Sequence, residues 1–299
     1  MPTFFFQTDF LPSAITYIIS FIALFLGSIS DLKTREVPDW LNYGLVFSGF
    51  GLNLLFSVIY STPSFIINSI IGFLIFFGIA YIMFYAGQWG GGDSKMIMGL
   101  GAMIGIDVGN TSSQFLFAFL INALLVGALY GLLWSFFLIF KNKKIFSKEF
   151  NKILMGKNIV KAKKMMLAVL ILLFILLFLI KIYYIKIMVL TLAFVMLITF
   201  YLWIFVKAIE KSCMYKLVEP PKLTEGDWIV KDIYVGGKYV TGPKELGISK
   251  KQIKQLIEFY KKRKVKKILI KEGIPFVPSF LIAFIVTLMF GNPLGWLVV

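Results

Sequence analysis

Long apolar blocks alternate with short polar breaks along this chain. The blocks cover about residues 14–30, 40–60, 65–86, 94–106, 114–140, 165–180 and 183–206, and a last one follows Pro275 and Pro278. A run of 18 or more apolar residues reads as a membrane-spanning helix, and several blocks exceed that length. The fourth, about Ser94 to Ile106, is short for a full span, so it starts below the membrane surface or its Gly-rich entry dips inward. The expectation is a polytopic α-helical membrane protein with about eight transmembrane helices. Residues 207–271 break the pattern. Asp227 to Val235 reads as a strand, Gly236-Gly237 as a hairpin turn into Lys238 to Thr241, and Lys267 to Lys271 as another strand. Ser249 caps a helix that runs to about Arg263, with Ile253, Leu256, Ile257 and Tyr260 on one face. A small α+β cytoplasmic domain is therefore expected before the last helix.

These blocks divide the chain into 1–140, with the first five helices, and 141–206, a basic loop plus helices six and seven. The α+β domain follows at 207–274 and the last helix at 275–299. Residues Met1 to Ser13 carry no Lys or Arg, so the first apolar block is expected to be a retained helix and not a secretory signal.

Composition supports the membrane reading. The 299 residues are 59% hydrophobic and 15% charged, far from a soluble balance. The net charge of +16 could suit nucleic acid in a soluble protein. Here it reports topology, and no nucleic-acid partner is expected. The basic residues collect in loops on one side: Lys33 and Arg35, nine Lys within 141–164, and 17 Lys and Arg within 207–271. Lys181 and Lys186 alone mark the other side. The positive-inside rule places the basic loops in the cytoplasm and both termini outside, in a plasma membrane facing anionic lipid.

The chain has no histidine and one cysteine, Cys213. That removes the Ser-His-Asp triad, the Cys-His pair, the HExxH zinc helix and multi-cysteine metal sites. Acid-base chemistry would fall to Asp, Glu, Lys or Tyr, with no metal and no cofactor expected.

One stretch then stands out. Between Trp40 and Phe140 the charged residues are Asp93, Lys95 and Asp107. Asp93 lies in Gly90-Gly91-Gly92-Asp93-Ser94-Lys95, and an acid in such a region is costly unless something uses it. The glycines let the backbone bend and let another chain approach. Asp31 ends the first helix on the same side, so both carboxylates can lie at one depth. Two carboxylates that approach closely cannot both stay ionised and share a proton. One can act as base on a water while the other polarises a peptide carbonyl. Plainer roles stay open: Asp93 as a helix cap, Asp31 as an interfacial charge, Lys95 as a counter-ion to Asp93, Asp39 as the cap of the second helix, Asp107 as a turn residue. Gly99, Gly101 and Gly105 read as small residues for helix packing.

Gly-X-Gly-Asp at the start of a transmembrane helix, with Asp31 to Asp39 after the first helix, resembles the GxGD aspartyl proteases of the type IV prepilin and archaeal preflagellin peptidase family. The resemblance extends through Gly90 to Met96 and more loosely over 14–140. Gly273-Ile-Pro-Phe-Val-Pro278 is similar to archaeal members. The resemblance implies an aspartic endopeptidase with Asp31 and Asp93 as the catalytic pair and Gly90, Gly91 and Gly92 shaping the site. Lys33, Arg35 and Lys95 fall at basic positions, and Glu36 and Asp39 are possible contacts to the leader. It implies cleavage of the short leader of archaellin or type IV pilin-like precursors at the cytoplasmic face. Bacterial relatives that also methylate carry a four-cysteine motif, absent here, so methylation is not expected. Two alternatives use the same residues: a presenilin-like intramembrane protease, which lacks its Tyr-Asp and Pro-Ala-Leu elements here, and an ion-coupled transporter with Asp93 and Lys95 lining a path.

Overall fold

A computed structural model describes residues 10–107 and 115–293 of the chain. The chain order is α1 (Phe10–Thr34), α2 (Asp39–Ile59), α3 (Ser64–Tyr85), α4 (Gly91–Ile104), α5 (Phe115–Lys141), α6 (Lys143–Leu154), α7 (Lys157–Leu179) and α8 (Tyr183–Ile209). Then come β1 (Tyr215–Val218), β2 (Trp228–Ile229), β3 (Ile233–Val235), β4 (Lys238–Thr241), α9 (Lys250–Lys261), β5 (Ile268–Lys271) and α10 (Val277–Phe290). Among the described residues, six helices are long and apolar enough to cross a membrane: α1, α2, α3, α5, α7 and α8. Against the expected eight, α4 and α10 have 14 residues each. At about 1.5 Å per residue such a helix is roughly 21 Å long, short of a hydrocarbon core of about 30 Å.

The short α4 is the most enclosed helix. Ser94, Met96, Ile97 and every residue from Gly99 to Met103 are buried, against α1, α2 and α3. Glycine makes the approach possible: a Cβ on Gly101 would stand 2.5 Å from the Gly72 carbonyl oxygen. This bears out the packing reading of Gly99, Gly101 and Gly105. A helix that ends inside a bundle leaves carbonyls that need donors. Ser69 Oγ donates to the Ala102 carbonyl at 2.5 Å and Asn53 Nδ2 to the Met103 carbonyl at 3.0 Å.

On the other flank α10 lies between α1 and α5, with Phe280 and Phe284 fully buried beside Phe119. Asn122 Nδ2 on α5 donates to Thr287 Oγ1 on α10 at 2.9 Å. Gly127 lets the ring of Phe276 press onto α5.

The stretch 141–164, expected as a basic loop, is largely helical. α6 is amphipathic, and Phe146, Phe150, Ile153 and Leu154 pack on Phe200, Ile204 and Ala208 of α8. The lysines had masked this 3.6-residue period. α7 correspondingly begins at Lys157, before the expected 165. α7 and α8 bury almost none of their surface in the protein and present apolar side chains to the bilayer.

The small domain begins at Tyr215, later than the expected 207, because α8 runs to Ile209 and a π-helical turn follows over Glu210–Met214. β1 and β2 flank β5 in an antiparallel sheet, and β3 pairs with β4 in a hairpin through Gly236 and Gly237. The strand expected over 227–235 divides into β2 and β3, which belong to different sheets. α9 carries its predicted cap, with Ser249 Oγ accepting from the Gln252 amide. Leu256 packs with Ile248, Ile268 and Ile270 in a separate core.

Candidate active site

Asp31 lies inside α1, which continues one turn further than expected, to Thr34. It falls on the buried stripe Ser20, Leu24, Gly27, Asp31, which faces α4 and α10. Its carboxylate is 6% exposed and its Oδ2 accepts a hydrogen bond from the Val277 amide at 3.0 Å. That amide is one of the unpaired donors at the start of α10, where a carboxylate is also favoured by the helix dipole.

Asp93 is the third residue of α4. Its Oδ2 accepts from the Gly90 amide at 2.8 Å, so the capping role that the sequence left open is real. Capping occupies one oxygen and leaves the other for chemistry. The Asp31 carboxylate lies near enough for its charge to act on Asp93. The three glycines do different things. A Cβ on Gly92 would meet Val37 at 3.2 Å, so Gly92 lets the α1–α2 loop close over the start of α4. Gly91 faces no such limit, its nearest neighbour being Phe84 at 3.9 Å. Gly90 supplies the amide for Asp93.

The charged residues around the pair sort differently from expectation. Lys95 Nζ binds Asp39 Oδ1 at 2.5 Å and lies 5.3 Å from the Tyr43 ring centroid, so its ion pair is with Asp39 and not with Asp93. Asp39 is the first residue of α2, after Pro38, and not its cap. Lys33 is exposed on the last turn of α1. Arg35 has a positive φ of 61° where the chain leaves α1, and its guanidinium donates to the Gly273 carbonyl. The same guanidinium lies 5.6 Å from the Trp134 ring centroid. Glu36 hydrogen-bonds the side chain of Thr224 in the small domain, and its carboxyl is pushed up by partial burial, then by the charges of Asp227 and Glu225. Trp228 meets Gly87 from the same domain, with its Cη2 3.0 Å from a Cβ placed there.

The small domain therefore touches the loop that follows the Asp31 helix and the loop that precedes the Asp93 helix. Sequence reasoning missed Val277, Thr224 and Trp228, which bear no acid-base signal. It also passed over Tyr130 and Trp134 on α5, two polar-tipped aromatics one turn apart in an apolar span. The Tyr130 hydroxyl lies within range of the charges of Asp31 and Arg35.

Residues 18–132 match the model of the type IV leader peptidase family. Over 90 residues, 30% of the chain, the sequence is 42% identical to a preflagellin peptidase of Methanocaldococcus jannaschii, covering 38% of that protein. It is 40% identical over 90 residues, 30% of the chain, to a preflagellin peptidase of Methanococcus maripaludis, covering 39% of it. It is 41% identical over 92 residues, 30% of the chain, to that of Methanococcus voltae, covering 38% of it. The matched segments thus span well under half of these relatives. The part of the chain that holds Asp31, Asp93 and the helices positioning them is similar to the type IV leader peptidase family.

Proposed function

We propose that this protein is a membrane-embedded aspartic endopeptidase that removes the short leader of archaellin or type IV pilin-like precursors. The carrying observation is that Asp31, held by the Val277 amide, and Asp93, held by the Gly90 amide at the start of α4, lie at one end of a buried helix bundle, with Asp93 within range of the Asp31 charge. Like charges so placed share one proton. The ionised carboxylate takes a proton from water as its oxygen attacks the scissile carbonyl carbon. The protonated one donates to the carbonyl oxygen. Collapse of the tetrahedral intermediate breaks the C–N bond as the proton held by the first carboxyl passes to the leaving amine, and the proton on the former carbonyl oxygen returns to the second carboxylate as the C=O re-forms. The cycle uses no metal and no cofactor.

Gly90, Gly91 and Gly92 leave backbone room beside Asp93 for a substrate strand. Arg35 and Glu36 tie the small domain over the mouth of the site, and Lys33 and Asp39 line its rim. The basic loops orient this mouth and the domain to the cytoplasm, with α4 and α10 as short spans and both termini outside. The cut then falls just before the precursor's hydrophobic helix, with no methylation of the new N-terminus. The pairing of Lys95 with Asp39 weighs against a transporter built on Asp93 and Lys95.

Cleavage of a leader-bearing precursor by the wild-type protein and by Asp31→Asn and Asp93→Asn tests this reading. Each variant is expected to insert and accumulate normally and to lose cleavage. Processing that persists in either variant removes that residue from the mechanism.

A further inference from the structure

Two hydrogen-bond donors beside the site have no partner among the described residues. The Tyr130 hydroxyl and the Trp134 indole nitrogen are both buried, and neither meets an acceptor among the described residues. Leaving a buried donor unsatisfied is destabilising, and native structures keep few of them without a use. These two lie one turn apart on α5, on the side where Gly127 meets Phe276. Phe276 adjoins Val277, whose amide holds Asp31. Trp134 stands against Arg35, the residue that follows α1, four positions after Asp31. The donors therefore follow α5 alongside the Asp31 end of α1.

Their spacing suggests an acceptor. Residues one turn apart on a helix are separated by about 6 Å along its axis. Carbonyls that point the same way along an extended peptide, two residues apart, recur at roughly 6.7 Å. We infer that Tyr130 and Trp134, covered by protein in the substrate-free structure, become uncovered when the precursor enters and donate to two backbone carbonyls of an extended segment lying along α5 beside Asp31. The inference rests on the peptidase reading and deepens it, since it states how a substrate strand is held. Backbone recognition of this kind positions the chain without reading its side chains, so it serves any precursor that presents an extended segment.

The test uses the full-length protein in detergent and preflagellin of Methanocaldococcus jannaschii with its leader as probe. Tyr130→Phe and Trp134→Phe keep an aromatic ring and remove the donor. Each is expected to lower kcat/KM about tenfold through KM, the scale of one lost hydrogen bond. Each should leave the melting temperature unchanged or raised, because an orphaned donor has been removed. A packing role would give the opposite pattern, with an earlier melt and an unchanged KM for the folded fraction. Wild-type KM in both variants, with Asp31→Asn inactive, overturns the inference and leaves the peptidase reading standing. Cleavage by Asp31→Asn overturns the peptidase reading itself. In the Asp93→Asn background, precursor binding is expected to weaken about tenfold on adding Tyr130→Phe. Unchanged binding there counts against the inference independently of turnover.

Discussion

The amide of Val277 donates to the Asp31 carboxylate at 3.0 Å across a separation of 246 residues. This bond ties the first helix of the chain to the last. Val277 directly follows the segment that leaves the small domain after β5. The position of Asp31 is thus coupled to how that domain sits over the loops that adjoin α1 and α4.

The first prediction concerns that amide. Val277→Ala keeps the donor and should retain cleavage within about threefold, although the two lost methyls of this buried side chain cost about 1.5–3 kcal/mol of stability. Val277→Pro removes the donor at a helix start, where proline is otherwise tolerated. It also disfavours the helical backbone that Phe276 adopts. Cleavage should fall by more than tenfold relative to Val277→Ala, read against protein abundance in the same membranes. Equal rates would show that Asp31 is positioned without this bond.

Neighbouring glycines should respond oppositely. Gly91→Ala meets nothing closer than Phe84 at 3.9 Å and removes a flexible residue from a helix. It should stabilise the protein by about 0.5–1 kcal/mol and preserve cleavage. Gly92→Leu drives a side chain into Val37, where even a Cβ would be 3.2 Å away. A cost of about 1–3 kcal/mol from overpacking and a large loss of cleavage should follow. Thermal melts and initial rates on both variants check the contrast.

Lys95→Gln breaks the pair with Asp39. Both side chains are partly solvent-exposed, at 35% and 59%, so the loss should be under about 1 kcal/mol. Cleavage should stay within severalfold of wild type with the same pH profile. A shifted pH optimum in this variant would make Lys95 a partner of the Asp93 carboxyl after all.

The small domain should carry a pH signature at Asp227. Burial raises its carboxyl above the ordinary value of 3.8, although its Oδ2 accepts from the Thr224 amide at 2.8 Å. A carboxyl raised on folding favours the folded state while protonated. That contribution is complete below 3.8 and is lost as pH rises through the folded value. Asp227→Asn keeps an acceptor for Thr224 and cannot ionise. The difference in melting temperature between variant and wild type should grow in favour of the variant as pH rises above 3.8. A difference independent of pH would contradict the assignment.

Local and compositional features were legible in the sequence because their physics is local. Apolar runs marked the six helices long enough to cross a bilayer and a short α4, though not that α10 would be short, and an acid in an apolar region marked Asp93. Ser249 with Gln252 determined the start of α9, and Gly236-Gly237 the β3–β4 turn. The apolar face of α6 was in the sequence at helical spacing, Phe146, Phe150, Ile153 and Leu154, but what it packs on, α8, was not. Partners distant in sequence were not legible either. Val277 reaches Asp31 through a backbone group that every residue but proline carries, so no side chain announces it. Lys95 could have paired with Asp93 two residues away. The packing of α2 against α4 placed Asp39 closer. The sequence by itself determined which residues carry charge into the apolar region. The tertiary structure decided what those charges meet, because only packing brings the ends of α1, α4 and α10 to one place.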